Sequence, residues 1–317
     1  MVENRIDIEI IIGRKENIMK KLRIFSFIVF AAAVISFGIY KHDQITSKDD
    51  QAPKITMNKD TIKVSCEADQ KKLLKGIKAE DSKDGDVTDS LIIESLSNFT
   101  KANTRNMTVV AFDSDNHATK ATRTIKYKDY VSPEFALTEP LRFPINTQDI
   151  MGTLTCTDVL DGDLTDKIKM ANGYYVQVDD AGEYPMMYQI ANSAGDVQKL
   201  PVTVEIYDPS KENQRPQLEL SQYLIYISKG TEIHPWDYVQ QITIGGIKYI
   251  RGEDGVLTDT NPNPQQGQRT AITSEEVQIN NEVDCDKEGV YEITYRMTDD
   301  TGRESVTGQV RLIVVVK

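Results

Sequence analysis

Three cysteines, three histidines and one tryptophan in 317 residues leave little material for the commonest protein chemistries. Cys66, Cys156 and Cys285 show no CxxC spacing and no histidine close by, so neither a zinc site nor a thioredoxin-like motif can be assembled. They fall at different places in the three segments described below, whereas a disulfide inside one segment needs two cysteines. Free thiols, or a bridge between segments or between chains, are the readings left open. His42, His117 and His234 are scattered and fit no Ser/His/Asp order. Beyond the N-terminus no long stretch carries the 3.6-residue period of an amphipathic helix.

Positive charge is also scarce. The chain has 37 Lys and Arg against 49 Asp and Glu, a net charge of −12. Seven basic and four acidic residues up to Lys41 give +3, so the remainder carries −15. Such a segment repels phosphate backbones, which excludes nucleic acid as a partner and implies a solvated acidic surface.

What is present begins with an uncharged run, Ile24 to Tyr40 (IFSFIVFAAAVISFGIY), of about 17 residues, the short end of a membrane-spanning helix. Lys20, Lys21 and Arg23 precede it. The positive-inside rule therefore keeps residues 1–23 in the cytoplasm and places everything after the run outside. The run ends in Ser36-Phe37-Gly38-Ile39-Tyr40, a poor cleavage site, so an uncleaved anchor is expected rather than a removed signal peptide. Residues 1–18 also read as a mis-assigned start, because Gly13-Arg14-Lys15-Glu16 back-translates to purine-rich sequence ahead of Met19. The polar stretch 41–51 is a tether.

The stretch Asp84-Gly85-Asp86-Val87-Thr88-Asp89 returns as Asp161-Gly162-Asp163-Leu164-Thr165-Asp166, and in worn form as Asp254-Gly255-Val256-Leu257-Thr258-Asp259. The first two copies are followed by strand-like sequence and a second polar turn, at Asp113 to Asn116 and Asn192 to Gly195. Asp299 to Gly302 gives the third segment a matching late turn. A fixed motif returning in this way is the mark of a tandem array. The reading is three domains of short strands, at 52–130, 131–210 and 215–317, the last with an inserted loop near 261–268. Short alternating strands with turns about every 8–12 residues predict an all-β fold of tandem sandwiches behind one N-terminal transmembrane helix.

The combination of a (D/E)-x-x-DGD-(V/L)-T turn, a Gly-x-Tyr strand start and a D-x-x-G late turn resembles the bacterial Ig-like domains. Within them it is most similar to the subgroup named after a pesticidal crystal protein. The second segment carries the resemblance best, through Asp158, Asp161, Gly162, Asp163, Thr165, Gly182, Tyr184 and Gly195. The first lacks Gly-x-Tyr and has Asn116 where the late glycine belongs. The third keeps Gly289, Tyr291, Asp299 and Gly302 but has Val256 in place of the second Asp. The resemblance implies a binding or spacer module without catalysis.

Two readings fit the aspartates. Asp side chains accept hydrogen bonds from nearby main-chain amides while Gly supplies positive φ, a structural role that needs no ligand. Alternatively Asp81, Asp84 and Asp86, and Asp158, Asp161 and Asp163, cluster carboxylates for calcium, the one cofactor the sequence suggests. The EF-hand pattern fails, since the twelfth position counted from Asp81 is Ile92. Nothing desolvates one acid of a pair as glycoside hydrolysis requires, so no enzyme is expected. Trp236 and Tyr238 form the one aromatic knot of the third segment, a core element or a recognition spot, and Asn263 and Gln265 lie in its long loop, a binding tip or a tolerated insertion. The expected role is a membrane-anchored, extracytoplasmic binding, adhesion or spacer module of a bacterial envelope, its partner a protein or a glycan. The alternative is a non-catalytic, glycan- or substrate-binding accessory subunit of an envelope enzyme or secretion complex.

Overall fold

The computed structural model describes residues 3–46, 50–212, 214–261, 263, 264, 266–300 and 305–317. Within its N-terminal helix it describes side chains from Met19 to His42. Gln265 and the late-turn residues Thr301 and Gly302 lie outside the described residues. The protein is mostly β-strands in sheets, with one apolar helix, Glu3–Thr46, at its N-terminus. Met19–His42 of this helix is 24 residues long, has a mean hydropathy of 2.2 and has no buried residue. Among the described residues it is the one helix long and apolar enough to cross a membrane.

The chain divides into two compact units. One comprises Met1–Asp60, Leu74–Ser95 and Thr108–Thr122; the other comprises Thr61–Leu73, Leu96–Met107 and Arg123–Lys317. The strands Ile92–Lys101, Thr104–Phe112 and Ala118–Tyr127 are divided between them. In the first unit, Lys54–Met57 runs antiparallel to Ile77–Asp81, Met57 opposite Ile77, and Gly85–Asp86 pairs back onto the end of the second strand. The strict alternation of Ile77–Asp81 puts Ile77, Ala79 and Asp81 inside and leaves Lys78 and Glu80 outside, as a period of two requires. Val109, Val110 and Ala111 are buried in the same unit.

In the second unit, Thr61–Val64 lies parallel to the end of Ala118–Tyr127, Val64 opposite Tyr127. The arrangement recurs twice. Arg142–Pro144 runs parallel to Val197–Tyr207, and Leu224–Ile227 runs parallel to Val306–Val316. The second repeat has a three-stranded sheet, Glu134–Ala136, Thr155–Asp158 and Gly162–Asp163, and a four-stranded one built on the long hairpin of Gly182–Ala191 with Val197–Tyr207. The third repeat has a five-stranded sheet starting at Gln217–Leu220 and a four-stranded one built on Gly289–Asp299 with Val306–Val316. Side chains of both sheets meet inside each of these repeats, which makes them sandwiches.

One hydrophobic cluster runs through both sandwiches, from Phe135 and Leu164 to Leu312 and Val316. Polar contacts cross the same seam. Thr203 donates to Glu292 through its main-chain N–H at 2.5 Å and its hydroxyl at 2.8 Å, and Arg311 pairs with Glu183 at 2.6 Å. The Phe135 N–H donates to the Tyr226 hydroxyl at 2.7 Å. Burial alone would raise the Glu183 carboxyl, but the donors Gln309 and Arg311 hold it below the usual range. Beside them Arg142 lies 3.2 Å from Glu205, an ion pair whose Nε–H is not aligned as a hydrogen bond.

Gly308 is required by a close approach rather than by a turn. A β-carbon there would stand 1.7 Å from the Pro216 carbonyl oxygen, and backbone cannot move aside as a flexible side chain can. We predict that Gly308→Ala costs about 3 kcal/mol of stability, the scale of an overpacked core. Urea denaturation of the full chain measures it, and a loss within about 0.5 kcal/mol would contradict the packing.

Candidate functional site

The repeated aspartate corner is the most completely specified polar feature of the chain, and each of its aspartates has a separate task. In the second repeat Asp158 is 7% exposed. Its Oδ1 accepts the main-chain N–H groups of Leu160 and Asp161, both at 2.9 Å. Asp161 reaches across to the late turn, where its carboxylate accepts the Ser193 N–H at 2.5 Å and the Ser193 hydroxyl at 2.6 Å. Asp163 accepts the N–H of Thr165 at 2.9 Å, and the Thr165 hydroxyl accepts the N–H of Cys156 at 3.2 Å. Gly162, at φ 74°, supplies the left-handed residue that lets the chain reverse between Asp161 and Asp163.

The first repeat reproduces this bond for bond. Asp81 Oδ1 accepts from Lys83 and Asp84, both at 2.9 Å. Asp84 accepts from the Ser114 N–H at 2.8 Å and hydroxyl at 2.9 Å. Asp86 accepts from Thr88 at 2.9 Å, and Thr88 accepts from Ala79 at 3.1 Å. Asn116 takes the place of Gly195 with φ 68° against 75°. Asn is one of the few side chains that tolerates the left-handed region, which accounts for the missing late glycine.

The six aspartates put forward as calcium ligands therefore accept main-chain and hydroxyl donors. Among the described residues, no three acidic, histidine or cysteine side chains converge as ligands for an ion. The partners Ser114 and Ser193 were not singled out by the sequence reading. The signal was there, since both late turns carry serine at their second position (Asp113-Ser114-Asp115-Asn116 and Asn192-Ser193-Ala194-Gly195).

The third stretch is placed differently. Asp254 and Gly255 form the turn between the strands Ile247–Arg251 and Leu257–Asp259, closed by the Gly252 N–H donating to the Val256 carbonyl at 2.8 Å. The segment that corresponds to Thr88 and Thr165 is instead the short helix Ser274–Glu276, which leads into the strand Gln278–Asn281. Sequence likeness alone misassigned this turn, because Asp-Gly is favoured in hairpins of any register.

Trp236 and Tyr238 are half-buried and pack against the core. The indole N–H donates to the Gly255 carbonyl at 3.1 Å, and Arg251 lies 5.5 Å from the indole centroid while donating to the Trp236 carbonyl at 2.9 Å. The aromatic knot thus braces the Asp254 turn. Asn263 is exposed, with its N–H donating to the Asn261 side chain at 3.0 Å. All three cysteines are free. Burial, with Asp129 beside it, pushes the Cys66 thiol up to about 12, and burial pushes Cys156 up to about 11, so neither is a nucleophile at neutral pH.

An open groove of about 590 Å³ lies along the second and third repeats, with Tyr174, Pro185 and Pro201 on one side and Asn280, Tyr291 and Glu292 on the other. Its mixture of ring faces and hydrogen-bonding groups suits a polar ligand with apolar faces.

No family model matches the chain. No curated protein matches it. Among solved structures, CBM51-2 in complex with GlcNAc and INT domains from Clostridium perfringens ZmpB is similar over 47% of this chain, at 16% identity and a TM-score of 0.20. This chain spans only 26% of that one. A lipoprotein from Bacteroides thetaiotaomicron is similar over 57% of this chain and 99% of its own, at 10% identity and a TM-score of 0.22. Mouse cadherin-23 EC22-24 covers 84% of this chain and 99% of its own, at 14% identity and a TM-score of 0.19. At these values the fold rests on the sheets themselves.

Two outcomes are expected of the corner. Asp158→Ala leaves the Leu160, Asp161 and Asn192 donors without their acceptor, and urea denaturation will register a loss of about 2–4 kcal/mol; a loss under about 0.5 kcal/mol would show that water replaces the carboxylate freely. The Thr88 and Thr165 side chains and amides hold Asp86 and Asp163 below the usual carboxylate value of 3.8. A depressed group contributes its stability above the unfolded value and loses it as pH falls through the folded one. The Thr88 and Thr165 amide resonances will accordingly shift below pH 3.8, and a midpoint above that value would contradict the bonds.

Proposed function

We propose that this chain is a membrane-anchored, extracytoplasmic repeat protein of a bacterial envelope, built from Ig-like sandwiches of the pesticidal-crystal-protein-like subgroup and acting as a binding or spacer module without catalysis. The observation that carries the reading is the Met19–His42 segment, apolar and with none of its residues buried, followed by sandwiches whose seam is apolar and edged by ion pairs. An uncovered apolar helix of that length is stable in a bilayer and costly in water. The basic residues before it favour an inside N-terminus.

The second and third repeats share one core and one set of polar links, which supports their acting as one stiff segment. A spacer needs that stiffness, and so does a groove whose two walls come from different repeats. The accessory, glycan- or substrate-binding reading is favoured by that groove, where Tyr174 and Tyr291 stand near Asn280 and Glu292. In either case a hydroxyl-rich chain or a polar protein segment is the ligand class, and the acidic surface turns phosphate away.

Protease added to intact cells or spheroplasts tests the placement. The expected result is loss of the repeats with a membrane-held fragment ending near the tether. Full-length chain surviving in spheroplasts, but cut once the membrane is broken, would overturn it.

A further inference from the structure

The first two repeats build the same corner but differ in the chemistry of the late turn. In the second repeat Asn192 accepts the N–H groups of Ala194 and Asp196 on Oδ1, both at 3.0 Å, and its amide donates to Asp158 Oδ2 at 3.1 Å and to the Tyr130 hydroxyl at 2.8 Å. Tyr130 in turn donates to Asp196 at 2.6 Å. The Phe99 N–H donates to the Ala194 carbonyl at 2.8 Å, so this late turn also lies under a neighbouring strand.

Asp113 holds the matching place in the first repeat, accepting the N–H groups of Asp115 at 2.9 Å and His117 at 2.8 Å on Oδ1. A carboxylate has no proton to offer where Asn192 has an amide. Accordingly Asp81 Oδ2, the counterpart of Asp158 Oδ2, is buried and takes no hydrogen bond among the described residues, in a side chain that is 8% exposed. In the place of Asp196 this repeat has His117, whose Nδ1 lies 2.8 Å from Asp113 Oδ2.

We propose that His117 is a proton-operated latch: its imidazolium supplies the positive charge that holds the acidic corner of the first repeat shut, and losing that proton loosens the late turn 113–117. The charges that act on it are carried by more than one element. Asp113 and Asp115 lie on its own turn and Asp50 on the stretch before the first strand, while Lys83 and Asp84 of the corner bond to the same turn at Asp115 and Ser114. Lys83 answers Asp115 at 2.7 Å, and His117 answers Asp113, whose side chain is 1% exposed. The neutral ring can still donate through Nδ1, but it no longer offsets the charge gathered around it.

The titration has the matching sign. The hydrogen bond to Asp113 raises His117 above 6.5 and outweighs the opposing effect of burial. Burial pulls Asp113 up, and the His117 N–H and ring overcome that pull and leave it lowered. A histidine raised by folding contributes its stability in full below the unfolded value of 6.5, and that contribution is lost as pH climbs through the folded value. The second repeat has Asn192 in the place of Asp113 and Asp196 in the place of His117, so it carries no histidine to make this contribution.

Amide hydrogen exchange on the full chain in detergent micelles, corrected for the intrinsic pH dependence of exchange, tests this between about pH 5 and about pH 8. Protection of the Asp115 and His117 amides will fall several-fold across that range, while that of Ala194 and Asp196 stays level. Asp113→Asn, which copies the second repeat, will flatten the response of the first. Should that variant fold poorly, the His117 ring resonances of the unaltered chain decide. Titration above 6.5, in step with the loss of protection, supports the latch, and titration at or below 6.5 overturns it. Parallel behaviour of the two turns would also overturn it, as would a pH response that survives Asp113→Asn, or protection restored at high pH by calcium alone.

Discussion

A single side-chain bridge sets the geometry of each of the first two repeats. The carboxylate of Asp84 or Asp161 leaves one turn and takes both donors of a serine on another, Ser114 or Ser193. Two turns about 30 residues apart in sequence are thereby fixed at one end of the fold, and the closing of such a loop has to be offset by contacts of this kind. The neighbouring aspartates make the bridge possible. Asp81 and Asp158 gather the amides that would otherwise point at the carboxylate, and Asp86 and Asp163 turn the chain into the next segment through threonine. A glycine between them allows the reversal. Few other residue types could fill these places, because each needs a short acceptor that also tolerates a turn.

The same corner meets different surroundings along the chain. In the second repeat it lies beneath Phe99 and Tyr130, whose rings meet edge to face at 4.7 Å, and its remaining polar atoms are paired with them or with an amide. In the first repeat Asp113 and His117 stand where the second has Asn192 and Asp196. Between the second and third repeats the seam is a continuous apolar cluster edged by Glu183, Glu205, Glu292, Arg142 and Arg311. Partly buried ion pairs of this sort are weak sources of net stability, since desolvation offsets much of the attraction. Their directional demands specify which surfaces meet.

Much of this was legible in the residues. Asp84-Gly85-Asp86 and Asp161-Gly162-Asp163 marked equivalent corners because a turn of this type restricts composition tightly, and short alternating strands marked the all-β fold. The apolar run from Ile24 announced itself by length and lack of charge. What stayed hidden was non-local. No local pattern says that Arg142–Pro144 pairs parallel to a strand about 60 residues later, or that Arg123 is fully buried with its guanidinium donating to the Leu73 carbonyl at 3.0 Å. The Asp254 stretch looked like a third corner and is a hairpin turn, since a short match in sequence cannot report which strands flank it. Trp236 drew notice for its rarity, yet its task is to brace that hairpin.

The bridge itself can be measured by a double-mutant cycle on the full chain, using Asp161→Ala, Ser193→Ala and the pair, with stabilities from urea denaturation. The account predicts a favourable coupling of about 1 kcal/mol, modest because Ser193 is exposed to solvent. Effects that add to within about 0.3 kcal/mol would mean that the two turns hold their places without each other, and would contradict it.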